Sequence, residues 1–320
     1  MSLIPPPLNR SDFDIINLKD VSNIYFNPEY ILTNSAIDSR IAVKNFPTSK
    51  VISIDRGGTE HIYRTFMEHL PELQEVYESL IDEESKKTFR GYWLGCIANK
   101  IGDLVCANTP HYICTGFIPE SGAIVIDGGV CDGGTTVRFL EMGYKVYGFE
   151  MDKTNYNSAI KLAKEKKFVL ENLGLGSFNH NMNYTHMPNP GASKLDFQGK
   201  EVTKIITLDN YVREKNLPRV DFIKLDVEGA ELDVLKGAAT TIARFKPILA
   251  LSAYHKWDDF WVLMNFVKSI RPDYEFAMRQ FAISKEDGAY HFYNGLQEQL
   301  DALGLRPTLF SYGECVLFAR

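Results

Sequence analysis

The stretch Val125-Ile126-Asp127-Gly128-Gly129-Val130-Cys131-Asp132-Gly133-Gly134-Thr135 runs from an apolar segment straight into an acidic, glycine-rich turn. It reads as a buried strand that opens into a ligand loop. Glycines let the backbone approach a ligand that a Cβ would hold off, and a helix starting just beyond favours a negative group at its N-terminus. A dinucleotide fingerprint needs glycines at the first, third and sixth positions. Starting at Gly128 places Val130 third, and starting at Gly129 places Cys131 third, so neither frame fits. A second apolar strand, Tyr144-Lys145-Val146-Tyr147-Gly148-Phe149, ends in Glu150. A carboxylate there accepts hydrogen bonds from both hydroxyls of a ribose. A nucleoside without a pyrophosphate matches these two features together, and S-adenosylmethionine is such a ligand.

Downstream, strand and helix patterns alternate. Helices are expected at 135–143, 153–167 and 231–245, and strands at 168–175, 220–227 and 247–253, the grammar of a parallel sheet covered on both faces. In 257–270, Phe260, Leu263, Met264 and Val267 repeat at helical spacing, with Pro272 beyond the end. The last two strands, 274–281 and 315–320, are expected to be antiparallel. The aromatic-rich excursion 284–312 between them suits a lid or an oligomer contact. Residues 1–110 differ in character, with irregular sequence to about 60 and then helical patterns at 62–81 and 83–101, the first interrupted by Pro71. Two regions follow from this: a helical N-terminal region at 1–110 packed on an α/β domain at 111–320.

The 320 residues are 45% hydrophobic and 24% charged, normal for a soluble globular chain. A net charge of -6 offers no basic footprint, which argues against nucleic acid as the main partner. Five cysteines without a C-x-x-C pair suggest neither a disulfide framework nor a zinc knuckle, so a reducing, cytoplasmic setting is expected. No apolar run reaches the ~18 residues of a membrane helix.

The segment Val220-Asp221-Phe222-Ile223-Lys224-Leu225-Asp226-Val227-Glu228-Gly229-Ala230-Glu231, taken with the glycine loop, resembles the FkbM family of S-adenosylmethionine-dependent methyltransferases. Thr207-Leu208-Asp209, Leu235-Lys236-Gly237-Ala238, Phe149-Glu150 and the lead-in Leu80 to Phe89 extend the resemblance to roughly residue 75 through the end. The loop between the last two strands is longer than the family pattern, which bears on substrate recognition. The resemblance implies a class I, Rossmann-like fold: a seven-stranded, mostly parallel sheet with an antiparallel last strand. It also implies methyl transfer to a hydroxyl of a sugar, glycan or polyketide-like acceptor. Carried over by position, Asp127, Gly128, Gly129 and Asp132 form the cofactor loop, Glu150 holds the ribose, and Asn172 and Leu173 stand near adenine.

Methyl transfer to oxygen needs a group to take the hydroxyl proton. In open α/β sheets, substrates sit at the carboxyl ends of the strands. That directs attention to Asp226 and Glu228 after one strand and to Ser252, Tyr254, His255 and Lys256 after the next. His255 is the expected base, with Asp226 and Glu228 orienting it or the cofactor. Asp226, Glu228, His255, Asp258 and Asp259 also supply donors for a magnesium-type ion. For Asp258 and Asp259, decoration of a helix first turn is the simpler account. Two other classes share these features: a nicotinamide-dependent oxidoreductase, which lacks the glycine frame, and a catalytically inactive binding module of the same fold. The expected partners are a small-molecule or saccharide acceptor and a second copy of the chain in a homo-oligomer.

Overall fold

The computed structural model describes residues 30–33, 50–53, 65–98, 107–187, 193–196, 198–281 and 314–320. By its contacts the chain divides into two compact units, Met1–His61 with His291–Thr308, and Ile62–Tyr290 with Leu309–Arg320. In the first, β1 (Tyr30–Thr33) pairs in parallel with β2 (Lys50–Ser53). The second holds every other element described. The expected lid or oligomer segment, 284–312, lies outside the described residues.

The larger unit begins with α1 (Leu70–Ser79) and α2 (Glu83–Ala98). Pro71 stands in the first turn of α1, where a missing N–H costs nothing, so it starts that helix. Seven strands form the main sheet: β3 (Ile124–Gly128), β4 (Lys145–Phe149), β5 (Val169–Glu171), β10 (Phe222–Leu225), β11 (Ile248–Ser252), β12 (Phe276–Gln280) and β13 (Cys315–Ala319). Their order is β12-β13-β11-β10-β3-β4-β5. β5, β4, β3, β10 and β11 run parallel, and β13 lies antiparallel between β11 and β12. This is the seven-stranded, mostly parallel arrangement expected. β3, β10 and β13 are buried along their whole length, because helices cover both faces.

Between β3 and β10 the connecting helices are α3 (Gly134–Glu141), α4 (Lys153–Lys166) and α5 (Leu208–Glu214). The single helix expected at 231–245 is two, α6 (Glu231–Gly237) and α7 (Ala239–Phe245). A Cβ on Gly237 would lie 2.0 Å from the Gly176 carbonyl oxygen, so only glycine permits this close approach. Asp209 then caps the restart, accepting from the N–H groups of Thr240 at 3.0 Å and Thr241 at 2.8 Å. α8 (Asp259–Ile270) buries Phe260, Leu263, Met264 and Val267 as its spacing predicts.

The strand expected at 168–175 is also two. After β5 the chain leaves the main sheet and enters a second one as β6 (Gly174–Leu175). There it joins β7 (His180–Thr185), β8 (Lys194–Leu195) and β9 (Glu201–Ile206) in the order β6-β9-β7-β8. Asn172 marks the departure, its side-chain amide donating to the carbonyls of Glu150 at 2.9 Å and Met151 at 3.3 Å. The result is a small sheet beside the carboxyl end of β4.

Candidate active site

At the carboxyl ends of β3, β4 and β10 lies a cavity of about 450 Å³, inside the ~300–1,000 Å³ range usual for cofactor and small-molecule sites. Gly128, Gly129, Cys131, Glu150, Leu173 and Leu175 line one side, with Asp226, Glu228, Tyr254 and Glu314 on another. Ser193 and Leu195 reach in from the small sheet.

The glycine turn is shaped by its neighbours. Gly129 has φ +83°, and a Cβ there would stand 1.9 Å from the Asp226 carbonyl oxygen. Its N–H groups are already engaged: Gly129 and Val130 donate to the Phe149 carbonyl, Cys131 to Glu150, Gly133 to the Val130 carbonyl and Gly134 to Asp132. The loop therefore offers close contact but no phosphate cradle of free N–H groups. Glu150 is buried, and each of its carboxylate oxygens accepts one backbone N–H at 2.8 Å, from Cys131 and from Asp152. Those bonds fix the carboxylate plane and leave a lone pair on each oxygen toward the cavity. Burial raises its pKa despite the two N–H donors.

Asp127 does not line this cavity. Its carboxylate is fully buried beneath the turn, accepting from the Thr136 hydroxyl at 2.5 Å and paired with Lys224 Nζ at 3.1 Å. Lys224, directly opposite on β10, also donates to the Gly128 and Gly129 carbonyls at 3.1 and 2.5 Å. Burial opposes its charge, yet Asp127 and Asp226 hold its pKa above the usual value. The pair thus locks the glycine turn from below. Asp132 is exposed and folds back on Gly134 N–H at the start of α3, leaving the cavity wall to Cys131. Asn172 is spent on strand-end carbonyls, while its neighbour Leu173 does line the cavity.

At the other end, Asp226 Oδ1 accepts from the Tyr254 hydroxyl at 3.1 Å. Burial acts against the Asp226 charge, but Lys224 and His255 hold its pKa below the usual carboxylate value. Glu228 sits in a left-handed conformation, φ 53°, which turns its side chain toward the cavity. Burial and the nearby carboxylates of Asp226 and Glu231 push its pKa up to about 7, with His255 pulling the other way. His255 stands behind these carboxylates, outside the cavity lining. Its Nδ1 bonds Glu231 Oε1 at 2.9 Å, and its Nε2 faces Asp226 Oδ1 at 3.5 Å and Glu228 Oε2 at 3.7 Å. Burial alone would lower its pKa, but Glu231 and the other two carboxylates raise it to about 9. The ring is therefore protonated at neutral pH and has no vacant nitrogen to take a proton. This conflicts with the expectation of a neutral imidazole base. Asp258 is exposed, and Asp259, the first residue of α8, reaches back to accept from the Lys256 N–H at 2.7 Å.

Several residues escaped the sequence reading: Cys131, Ser193, Leu195, Glu231, Glu314 and above all Lys224. A lysine inside the apolar run Phe222–Leu225, on a strand of the same parallel sheet as an aspartate, was the available signal for the buried pair.

The Methyltransferase FkbM domain family matches residues 127–297, and the chain belongs to it. The methyltransferase FkbM structure from Methylobacillus flagellatus KT superimposes with a TM-score of 0.62 at 19% identity, over 88% of this chain and 65% of that one. The chain thus spans about two thirds of that protein's length, and the likeness shows a shared class I methyltransferase fold. A putative rRNA-methylase from Clostridium thermocellum aligns at 9% identity over 62% of this chain and 86% of its own, TM-score 0.35. A putative methyltransferase from Streptococcus mutans, in complex with SAH, aligns at 14% over 64% and 93%, TM-score 0.32. Neither of these two overlaps well enough to bear on function. No curated protein matches the sequence.

Proposed function

We propose that this chain is an S-adenosylmethionine-dependent O-methyltransferase acting on a hydroxyl of a sugar, glycan or related natural-product acceptor. The observation that carries the reading is one cavity with a tight glycine turn and Glu150 at one end and two carboxylates at the other. Glu150 has lone pairs for a ribose diol, Leu173 and Leu175 offer apolar surface to adenine, and the carboxylates favour the sulfonium cation. The closed N–H groups of the turn speak against a pyrophosphate, and so against the nicotinamide reading.

In the reaction, the acceptor oxygen attacks the sulfonium-bound methyl carbon. A C–O bond forms, the C–S bond breaks with its electron pair passing to sulfur, and the hydroxyl proton must leave. Glu228 is the best-placed acceptor for that proton, because it faces the cavity and titrates near neutrality. Asp226, ionised and bonded by Tyr254, positions the cofactor or the acceptor, and His255 supports both carboxylates from behind. A magnesium-type ion at the same carboxylates is the alternative way to acidify the hydroxyl.

Among the described residues no helix is long and apolar enough to cross a membrane. Cys114 and Cys131 are free thiols, in keeping with a cytoplasmic setting. Calorimetry with S-adenosylhomocysteine and with NAD, followed by transfer from labelled S-adenosylmethionine to free glycans, nucleotide sugars and lipid-linked saccharides, tests the reading. Binding of NAD in preference to S-adenosylhomocysteine would overturn it. Cofactor binding with no transfer to any acceptor would favour the inactive module.

A further inference from the structure

We infer that Asp226, Glu228 and His255 form a binding site for a transition-metal dication of the manganese(II) class. One donor atom from each residue can be chosen so that all lie within 4.8 Å of one another. Donors around a single ion at ~2.1 Å stand about 3.0 Å apart at right angles and about 3.4 Å apart in a tetrahedron. The separations of 3.5 Å and 3.7 Å from His255 Nε2 to Asp226 Oδ1 and Glu228 Oε2 lie within about 0.3 Å of the tetrahedral spacing and about 0.5–0.7 Å beyond the right-angle one. Small side-chain rotations close that gap.

Two carboxylates and a histidine near each other are common without a metal, so the state of the histidine decides the matter. The His255 side chain is 9% exposed, and its buried Nε2 has no hydrogen-bond partner while pointing between the two carboxylates. Its other nitrogen is fixed by Glu231 at 2.9 Å. Glu231 is itself fully buried, and the same Oε1 accepts the Val227 N–H at 2.9 Å. A carboxylate that holds Nδ1–H orients the ring with Nε2 toward an ion, the usual support of a metal-bound imidazole, and the ion would displace the proton that Nε2 carries in the metal-free protein. The Tyr254 hydroxyl on Asp226 steadies a second donor in the same way.

The donor set also selects the ion. Magnesium and calcium prefer oxygen throughout, whereas an imidazole beside two carboxylates suits a borderline first-row dication. This narrows the magnesium-type expectation to the manganese class and removes Asp258 and Asp259 as ligands. Glu228 would bind through Oε2, leaving Oε1 for an acceptor proton. The ion's use in methyl transfer rests on the methyltransferase reading, while its binding does not.

The test uses the full chain stripped with a chelator and titrated with manganese(II), following loss of the free-ion electron paramagnetic resonance signal. One ion per chain is expected. His255→Gln removes the imidazole donor and Glu231→Leu removes only its support, and each should weaken binding about 10–100-fold. Magnesium should displace manganese only in large excess. Absence of saturable uptake by the unaltered protein overturns the inference, as does affinity unchanged within twofold in both variants. Should either variant lose its circular dichroism spectrum, Asp226→Asn with Glu228→Gln replaces it under the same criteria. S-adenosylhomocysteine calorimetry on the same samples separates the two readings. Manganese binding without cofactor binding sinks the methyltransferase reading alone, and the reverse sinks the metal site alone.

Discussion

Glu150 is oriented before any ligand arrives, because two backbone N–H groups hold its oxygens in place. Glu150→Ala removes two hydrogen bonds from a ribose to a charged acceptor, each worth about 1.5–3 kcal/mol, so S-adenosylhomocysteine affinity should fall at least ~10-fold. Calorimetry that shows equal affinity would place the ribose elsewhere. Glu228 and His255 invite a direct contrast. With Glu228 as the proton acceptor, Glu228→Gln should lower turnover about 10²-fold while cofactor affinity stays nearly constant. A protonated imidazole outside the cavity contributes by position, so a single-turnover assay of His255→Gln should show the smaller loss of the two. If His255→Gln proves the more damaging, the base assignment reverses. Lys224 raises a different question, since it does not line the cavity. Removing its ammonium leaves Asp127 charged and buried without a counterion, and Lys224→Met should cost about 3–5 kcal/mol. Urea denaturation reads that loss, and Lys224→Met combined with Asp127→Asn should recover part of it.

Elements here end where side chains from elsewhere tell them to. α6 and α7 read as one helix in sequence, since nothing in Glu231 through Phe245 is a strong breaker except Gly237. The break comes from contact: Gly237 meets the Gly176 carbonyl, and Asp209 in α5 takes the first N–H groups of α7. Helix periodicity is a property of one segment and carries no trace of a cap arriving from 31 residues away. Asp209→Ala should therefore destabilise the fold by about 1–2 kcal/mol, the cost of a lost N-cap. Asp209→Asn, which keeps an accepting oxygen, should cost visibly less in the same thermal melts. Equal losses in the two would mean that the cap is not what holds α7. The small sheet was illegible for a related reason. His180–Thr185 alternates only weakly, with Met182 and Tyr184 between asparagines, and Tyr184 is the only one of its side chains that is buried. Its strands are held by pairing with β9 and β8, which local pattern cannot show.

At the scale of the whole molecule, the parallel strands were legible because burial on both faces leaves continuous apolar runs such as Ile124–Gly128. The cavity's position follows from those strand ends, so Gly128, Glu150 and Asp226 could be singled out from order alone. The charge on His255 could not, because it depends on Glu231, which only the fold sets beside the ring. The same holds for the tie between α2 and the sheet. Arg279 on the edge strand β12 pairs with Asp82 at 2.9 Å and donates to the Ser85 hydroxyl at 2.7 Å, while Ile81 N–H bonds the Phe276 carbonyl. Burial acts to raise the Asp82 pKa, but the bonds from Arg279 and Ser85 outweigh it and hold the carboxyl below its ordinary 3.8. A carboxyl whose folded pKa is depressed binds more protons when unfolded. Its stabilising contribution is complete above the unfolded value and is lost as pH falls through the lower folded one. Asp82 is 37% exposed, so solvent screening keeps this contribution small. Melting temperatures between pH 6 and pH 2.5 should therefore fall less steeply for Asp82→Asn than for the unaltered chain, with the two curves separated at pH 6 and converging toward pH 2.5. Parallel curves over that range would show that the Asp82 and Arg279 pair does not couple α2 to the sheet through charge.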